Sequence, residues 1–294
     1  MDNLLLCDPD RKCLNEIAEA LPALVLTGAG VSVATGIPTY RNEAGTWLRS
    51  DPITHQEFLK DPRQRQRYWG RSLLGWPAVR DARPATAHRI LAQMEAIGAI
   101  THIVTQNVDR LHQRAGSAKV TDLHGRLDRA VCLDCKTFIS RDQLQSDLLR
   151  LNPGITRTTV SARPDGDADL ADGIVDSVTV PCCKQCKGTL MPDVVFFGGS
   201  IPNERVLEGK LALERARCLL VVGSSLQVYS GYRFCKWARD SNKPIFLINP
   251  GLTRADDMAT KWRIDADSGL QAIFERYCEH RKEQNLKEQG INSA

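Results

Sequence analysis

Residues 24–41 read LVLTGAGVSVATGIPTYR, and they predict a buried strand followed by a turn that binds an anion. The apolar run of residues 24–26 is typical of a strand that is buried on both faces. The turn around Ala29 carries no side chain at Gly28 or Gly30, so a ligand can approach the backbone there. Amide groups at the start of the following helix would face that ligand and favour a phosphate. The stretch therefore indicates a strand–turn–helix unit with a nucleotide site.

Two features of the same stretch refine this prediction. The full dinucleotide-binding pattern has a third glycine at the position of Val33, so the glycine turn is weak evidence by itself. Gly36 and Pro38 are expected to end the helix early. Beyond them, Tyr40 and Arg41 place an aromatic ring and a permanent cation near the turn, and arginine can pair with a diphosphate through two hydrogen bonds. Tyr40 and Arg41 therefore join the turn residues as candidate cofactor contacts.

The apolar segments of the chain are arranged as in a parallel sheet. Continuous apolar strands alternate with helical patterns, which indicates an α/β fold with a Rossmann-like sheet covered by helices on both faces. The strand candidates lie at Val25 and at residues 103–104, 194–196, 219–222 and 245–248, and helical patterns cover 87–97 and 206–216. Ligands of such sheets bind at the carboxyl ends of the strands.

Two stretches interrupt this alternation and predict a smaller domain. Residues 46–84 are rich in arginine, glutamine and aromatic residues, and we interpret them as a helical insertion. Residues 125–192 contain two cysteine pairs, and we interpret them as a zinc-binding module. The remaining segments, 1–45, 85–124 and 193–294, are assigned to the Rossmann-like domain.

The composition is that of an ordinary globular protein and argues against several classes. The 294 residues are 42% hydrophobic and 25% charged, which is the usual balance. A net charge of +4, from 39 basic and 35 acidic residues, is too small and too dispersed to favour nucleic acid. No apolar run reaches the roughly 18 residues that a membrane helix needs, and the first residues lack the features of a signal peptide. We expect a cytoplasmic monomer with no membrane or nucleic-acid partner.

Four of the ten cysteines have the spacing of metal ligands. Cys132 and Cys135 form one Cys-x-x-Cys pair, and Cys183 and Cys186 form another. Two such pairs complete a closed tetrahedral site, so we expect one structural Zn²⁺. Cys182 competes with Cys183, but the two-residue spacing favours Cys183. A catalytic zinc is disfavoured because it would keep an open coordination position.

Polar residues that could carry chemistry follow the predicted strand at 103–104. Gln106, Asn107 and Asp109 offer amide and carboxylate groups that could hold a carboxamide and ribose hydroxyls, although Asn107 or Asp109 could simply cap a helix. His124 lies just before the first cysteine pair. Histidine is the side chain best suited to general-base chemistry near neutral pH, but an isolated histidine is more often structural. The residues alone leave these alternatives open.

Small and polar residues also follow the last two strands of this prediction. Gly223, Ser224 and Ser225 are suited to phosphate or ribose contacts, and Asn249 places an amide at the next strand end. Both segments are also ordinary turn sequences, so each is weak evidence by itself.

Together these motifs resemble those of the sirtuins, the NAD-dependent protein deacylases. The matching segments are TGAGVSVATGIPTYR, TQNVDRLHQRAG, LHG before the first cysteine pair, GSS and INPG, in the sirtuin order. QRYWGRSLLGWP and RPDGD are most similar to the class II branch. The resemblance implies that NAD is the cofactor, that His124 is the general base, that Asn107 belongs to the catalytic nicotinamide pocket, and that the zinc ion lies outside the chemistry.

The resemblance also implies the substrate and the reaction. Val195, Phe196, Phe197 and Gly198 resemble the segment that pairs with the backbone of an acyl-lysine peptide, which would add to it as a strand. These residues could equally belong to the core. In the sirtuin reaction the acyl oxygen attacks the nicotinamide ribose carbon, nicotinamide leaves, and the acyl group ends on ADP-ribose.

The acyl group is harder to predict. Sirtuins that remove succinyl or malonyl groups have a tyrosine followed three residues later by an arginine. The nearest counterpart in this chain is Thr46 with Arg49, so we expect acidic acyl groups to be disfavoured. Acetyl, longer-chain, branched and lipoyl groups all remain open.

Three other functions would use some of the same features. A protein mono-ADP-ribosyltransferase would need the same NAD site but would transfer the sugar to a side chain. A dehydrogenase would suit the sheet but would have no use for the cysteine pairs. A sensor of NAD or ADP-ribose would need the pocket but not His124.

Overall fold

The computed structural model describes residues 8–37, 52–155, 162–163, 167–168 and 172–288. In chain order, the strands are β1 (Ala23–Thr27), β2 (Ile100–Thr105), β3 (Val120–Asp122), β4 (Gly125–Cys132), β5 (Phe138–Ser140), β6 (Ala162–Arg163), β7 (Asp167–Ala168), β8 (Leu190–Val194), β9 (Cys218–Val222), β10 (Ile245–Ile248) and β11 (Thr260–Trp262). The α-helices are α1 (Asp8–Ala20), α2 (His55–Lys60), α3 (Pro62–Asp81), α4 (Thr86–Ala96), α5 (Leu111–Arg114), α6 (Arg141–Leu151), α7 (Asp172–Val175), α8 (Asn203–Arg215), α9 (Tyr229–Asp240) and α10 (Ala266–Glu288). A 3₁₀ helix, Ala29–Thr35, follows β1.

The larger lobe is built on a six-stranded sheet in the order β3-β2-β1-β9-β10-β11. All five pairings are parallel, and β1 lies at the centre, where Leu26 is aligned with Val104 on one side and Val221 on the other. The strand order reverses between β1 and β9, which is the switch point where doubly wound sheets bind ligands. The predicted Rossmann-like sheet is confirmed.

Both faces of the sheet are buried, as the apolar run of β1 predicts. Val25 belongs to a core cluster that includes Leu91 of α4 and Leu270 of α10. Leu24 belongs to a second cluster on the opposite face, which includes Phe234 of α9. Each fully buried side chain of this size contributes about 1.5–3 kcal/mol of transfer free energy. The helices therefore hold the sheet rigid while its carboxyl edge stays open.

The smaller lobe combines the helical insertion with the cysteine-containing segment around one core. Its antiparallel sheet has the order β5-β4-β8. Trp69 of α3 is buried in the same cluster as Leu144 of α6, Leu190 of β8 and the cysteines Cys132 and Cys183. The two insertions therefore share one hydrophobic core. The exact domain boundaries stay a prediction.

The strand predicted at residues 194–196 belongs to the smaller sheet and not to the parallel sheet. Residues 194–196 were assigned to the parallel sheet, but β8 ends at Val194 and pairs antiparallel with β4. An apolar run does not reveal its pairing partner, and here Met191 is aligned with Val131 in the smaller lobe. The prediction is therefore wrong in its pairing, and the segment becomes a link between the two lobes.

The helical patterns are placed as expected, while two edge strands escape prediction. Residues 87–97 and 206–216 correspond to α4 and α8. The edge strands β3 and β11 have three residues each, too few for a recognisable pattern. Among the described helices, none is both long and apolar enough to cross a membrane.

Candidate active site

A cavity of about 1140 Å³ lies between the carboxyl ends of the sheet strands and the smaller lobe. It receives residues from the ends of β1, β2, β9 and β10, from the segment after β8, and from α3. The candidate residues that line it are Gly28, Ala29, Gly30, Gln106, Asn107, Asp109, His124, Val195, Phe196, Phe197, Gly198, Gly223, Ser224, Ser225 and Asn249. Tyr40 and Arg41 lie outside the described residues. The fold thus brings the described candidates together, and their individual roles stay predictions.

The glycine turn is shaped first by the neighbouring strand. A Cβ atom added to Gly30 would lie 2.7 Å from the Cα and carbonyl oxygen of Gly223, and one added to Gly28 would lie 2.8 Å from the Cβ of Ser224. Contacts below 3.0 Å with backbone cannot be relieved by turning a side chain. Glycine is therefore required where the turn after β1 crosses the turn after β9.

The amides of this turn are less free than the sequence predicts. Gly30 donates its N–H to the carbonyl of Gly223 at 2.8 Å, Gly28 donates to Val222 at 3.2 Å, and Val31 donates to Gly28 at 3.1 Å. The following segment is a 3₁₀ helix that ends at Gly36, whose φ is 83°. The prediction of free amide groups at the start of a helix is therefore wrong for these three residues, because their N–H groups donate to carbonyls of the chain itself.

We expect Gly30→Ala to destabilise the fold by about 1–3 kcal/mol, the usual cost of forcing an extra group into a packed site. The β1 and β9 turns would have to separate, so NAD affinity should fall as well. Urea unfolding and calorimetric NAD titration measure the two effects. Gly154→Ala is the control, because a Cβ there meets nothing within 4 Å. An unchanged free energy of unfolding in Gly30→Ala would show that the crossing is looser than described.

Ser32 connects the glycine turn to the polar residues after β2. Its Oγ donates to Asp109 Oδ2 at 2.9 Å and accepts from Asn107 Nδ2 at 3.1 Å. Asp109 Oδ1 accepts the amide of Leu111, the first residue of α5, at 2.9 Å, although the N-cap residue of that helix is Arg110. Burial raises the pKa of the Asp109 carboxyl. Ser32 was missed by sequence reasoning, because only its position two residues after Gly30 points to it.

Gln106 and Ser224 join the ends of three strands. Gln106 Nε2 donates to Ser224 Oγ at 2.7 Å and to the carbonyl of Thr27 at 3.3 Å. Ser224 is buried, and its Oγ also accepts the amide of Leu226 at 3.2 Å. Asn249 Nδ2 donates to the carbonyl of Gly251 at 2.9 Å. These side chains hold the strand ends in place around the cavity.

His124 is held by two hydrogen bonds. Its Nδ1 lies 2.9 Å from the carbonyl oxygen of Gln106, and its Nε2 lies 2.8 Å from Ser230 Oγ. A carbonyl can only accept, so Nδ1 carries the proton when the ring is neutral. Burial, aided by the charges of Arg205 and Arg233, lowers the pKa of His124 to about 4, against the opposing effect of the Gln106 carbonyl. At neutral pH the ring is uncharged, and its lone pair is at Nε2, the nitrogen beside Ser230.

Residues 195–198, the segment after β8, lie partly in the core of the smaller lobe and partly at the surface of the cavity. The Val195 amide donates to the carbonyl of His124 at 2.7 Å, which ties this segment to the histidine. Phe196 is 8% exposed and its ring lies 5.0 Å from that of Phe58, whereas Phe197 is 36% exposed. The Phe197 carbonyl accepts the amide of His55 at 2.9 Å. The core alternative therefore applies to Phe196, and the following residues are the more accessible ones.

Two residues that sequence reasoning missed line the same cavity. Tyr68 and Arg71 lie three residues apart on α3, on one side of the helix, and Arg71 is 5% exposed. The prediction from sequence places the tyrosine–arginine spacing at Thr46 and Arg49, which lie outside the described residues. The segment RYWGR contains the required spacing in its Tyr68 and Arg71.

The four predicted cysteines converge on one point of the smaller lobe. All four sulfur atoms lie within 4.8 Å of one another, and the Cys132–Cys186 and Cys135–Cys183 pairs are 3.5 and 3.7 Å apart. Tetrahedral zinc with Zn–S bonds of about 2.3 Å needs sulfurs roughly 3.8 Å apart. The predicted cluster is confirmed, and its geometry fits a structural zinc ion. Cys182 is exposed and lies outside it.

Both cysteine pairs adopt the same backbone turn. Lys136 and Lys187, one after each pair, have φ values of 61° and 65°. Their amides donate to the carbonyls of Cys132 at 3.0 Å and Cys183 at 2.9 Å. Of the described residues around the cavity, none is one of these cysteines. The metal would therefore fasten β4 to the turn before β8 without reaching the reacting atoms.

Comparison with known proteins identifies the family. The model of the Sir2 family matches residues 28–230, which contain the glycine turn, His124 and both cysteine pairs. The chain belongs to the Sir2 family. It is 50% identical over 234 residues to an NAD-dependent protein deacetylase of Xanthomonas campestris pv. campestris, covering 80% of each chain. It is 45% identical over 272 residues to NAD-dependent protein deacetylase 1 of Streptomyces coelicolor, covering 91% of each.

Solved sirtuin structures share the fold of this Sir2-family chain. A structure of Sir2 with a p53 peptide and NAD⁺ is 28% identical with a TM-score of 0.68, covering 89% of this chain and 95% of the other. A Sir2 homologue in complex with NAD is 29% identical with a TM-score of 0.70, covering 92% and 94%. The predicted sirtuin resemblance is confirmed.

Proposed function

We propose that this Sir2-family protein is an NAD-dependent protein-lysine deacylase that cleaves NAD to nicotinamide and transfers the acyl group to ADP-ribose. The observation that carries the proposal is the position of His124. Its ring lines the same cavity as the glycine turn, and the Gln106 carbonyl leaves Nε2 as the nitrogen without a proton. The relatives named NAD-dependent protein deacetylases, and the Sir2 structure with a p53 peptide and NAD⁺, support it.

The crevice at the turns after β1 and β9 fits NAD, because a ligand can approach the backbone closely there and polar side chains surround it. Gly28 and Gly30 leave the turn without side chains, and the cavity of about 1140 Å³ has room for a dinucleotide and an extended acyl chain. Gln106, Asn107 and Asp109 would face the nicotinamide and its ribose, while Ser225 and Asn249 would contact the adenosine half. When bound, NAD supplies a ribose carbon from which nicotinamide departs.

His124 would act as the base that takes a proton from a ribose hydroxyl. The Gln106 carbonyl accepts a hydrogen bond from Nδ1–H, so Nε2 is the nitrogen that can accept the proton of the ribose hydroxyl. A positioned base contributes about 10²–10⁴-fold to a rate. Burial, aided by the charges of Arg205 and Arg233, lowers the pKa of His124 and so keeps the ring neutral and ready to accept until the substrate arrives.

The proposal extends to the protein substrate, the oligomeric state and the cellular compartment. Val195, Phe197 and Gly198 would pair with the backbone of an acyl-lysine peptide, which explains tolerance to substrate sequence. The protein would act as a monomer in the cytoplasm, without nucleic acid. The free thiols of the described cysteines and the four-sulfur zinc site support a reducing compartment.

We infer from Tyr68 and Arg71, which line the cavity, a second substrate class, acyl groups that end in a carboxylate, contrary to the expectation drawn from Thr46 and Arg49. We expect such peptides to be deacylated as well as acetyl peptides, and Arg71→Met to reduce kcat/KM for the acidic class by about 10–100-fold, the value of a lost charged hydrogen bond. The acetyl reaction should change less. Arg67→Met is the control, since Arg67 is on the same helix but does not line the cavity. An equal loss on both substrate classes in Arg71→Met would rule out acyl recognition by Arg71.

Mass spectrometry of the purified protein with NAD and a panel of acyl-lysine peptides tests the proposed function. The panel runs from acetyl through long-chain and lipoyl to acidic groups. Loss of one acyl group with equal amounts of nicotinamide and O-acyl-ADP-ribose is the expected result. Nicotinamide release with ADP-ribose on protein would instead identify a transferase, and no NAD consumption with any peptide would contradict enzymatic function.

A further inference from the structure

His124 Nε2, the atom on which the proposed function depends, is in contact with the side chain of Ser230. Ser230 Oγ lies 2.8 Å from His124 Nε2, and Ser230 is 7% exposed at the second position of α9. Ser230 also lines the cavity. No sequence motif singles it out, since it lies 106 residues from His124. The contact therefore arises only from the fold, which brings the start of α9 next to the turn between β3 and β4.

The direction of this hydrogen bond follows from the other side of the ring. The Gln106 carbonyl requires a proton on Nδ1, so a neutral ring has only a lone pair at Nε2. The Ser230 hydroxyl must then donate. A hydroxyl can also accept, and it changes role by rotating its hydrogen without moving its oxygen. The same contact can thus serve both protonation states of the ring.

We propose that Ser230 is a positioning residue for His124, donating to Nε2 while the ring is neutral and accepting from Nε2–H once the ring is charged. The inference rests on the proposed function. The arriving substrate hydroxyl takes over the lone pair, and the Ser230 hydrogen rotates away. The substrate proton then moves to Nε2, and Ser230 keeps its own proton throughout.

The charges around the ring show why such a partner is needed. Burial opposes a positive charge on the ring most strongly, and Arg205 of α8 and Arg233 of α9 oppose it further. Within the described residues, the partners of the two ring nitrogens are the Gln106 carbonyl and Ser230, and neither is a carboxylate. Ser230 is therefore the side chain that can stabilise the imidazolium formed during the reaction.

We expect Ser230→Ala to lower kcat by about tenfold with little change in KM, because a hydrogen bond to the charged ring is lost. The bond to the charged ring is stronger than the bond to the neutral ring, so the variant lowers the pKa of His124 further. The acid limb of the kcat/KM profile should therefore move to lower pH, by about one unit. Ser230→Thr, which keeps the hydroxyl, should recover most of the rate.

The control and a second measurement separate this inference from the proposed function. Ser117→Ala removes another buried serine hydroxyl, one with no hydrogen-bond partner among the described residues, and should leave both kinetics and spectra unchanged. In the enzyme without NAD, the ¹⁵N resonance of His124 Nε2 at neutral pH should shift in Ser230→Ala. An unchanged resonance would overturn the role of Ser230 whether or not the wild-type protein deacylates peptides. If the wild-type protein does deacylate them, a kcat equal to wild type in Ser230→Ala would overturn it as well.

Discussion

Replacing His124 with alanine is expected to slow deacylation by about 10²–10⁴-fold, the contribution of a positioned general base. The ring is the group in the described cavity whose neutral nitrogen lone pair can accept a ribose proton, and alanine offers no substitute. NAD binding should change little, because the ring bonds to the backbone carbonyl of Gln106, and alanine leaves the glycine turn and the side chains after β2 in place. Mass spectrometry of the acyl peptide measures the rate, and calorimetry measures NAD affinity.

His280→Ala provides the matched control for this loss. His280 is a half-buried histidine of α10, outside the cavity, and its removal should leave turnover at the wild-type rate. Turnover near the wild-type rate in His124→Ala would contradict the assignment of the base. Loss of NAD affinity in that variant would instead show that the ring supports the cofactor crevice rather than the proton transfer.

The second large effect concerns the metal. We expect Cys183→Ser to reduce bound zinc from about one ion per chain to near zero, since a closed four-thiolate site loses a ligand and its geometry. Structural zinc contributes about 10–16 kcal/mol in small zinc-dependent folds, so Tm should fall by at least about 10 °C. Elemental analysis and calorimetric unfolding measure the two quantities. Cys183 is 5% exposed inside the core of the smaller lobe, so the change is felt there first.

Cys182→Ser tests whether the effect belongs to the cluster or to any cysteine in this turn. Cys182 is adjacent but exposed and outside the four-sulfur group, so its replacement should leave metal content and Tm unchanged. Full zinc content in Cys183→Ser, or metal loss in Cys182→Ser, would refute the four-ligand assignment. The sheet of the larger lobe should stay folded in Cys183→Ser, because its two core clusters contain none of these cysteines.

Local patterns predicted the parts of this protein that depend on neighbouring residues. The glycine turn, the two Cys-x-x-Cys turns and the buried strands are each encoded within a few residues, and the structure has all of them. The strand at 194–196 was misassigned because an apolar run is compatible with either sheet, and only pairing with β4 decides. The spacing of Tyr68 and Arg71 was visible in the sequence, but its relation to the cavity depends on where α3 packs.

The sequence by itself predicted the family, the parallel sheet, the zinc ligands and the candidate base. Only the tertiary structure decided the chemistry of that base. The hydrogen-bond partner of His124 Nε2 comes from α9 and the charges that lower its pKa come from α8 and α9, far along the chain. A pKa depends on burial and on charges in space, and distances between such remote residues exist only once the two lobes and their helices have packed.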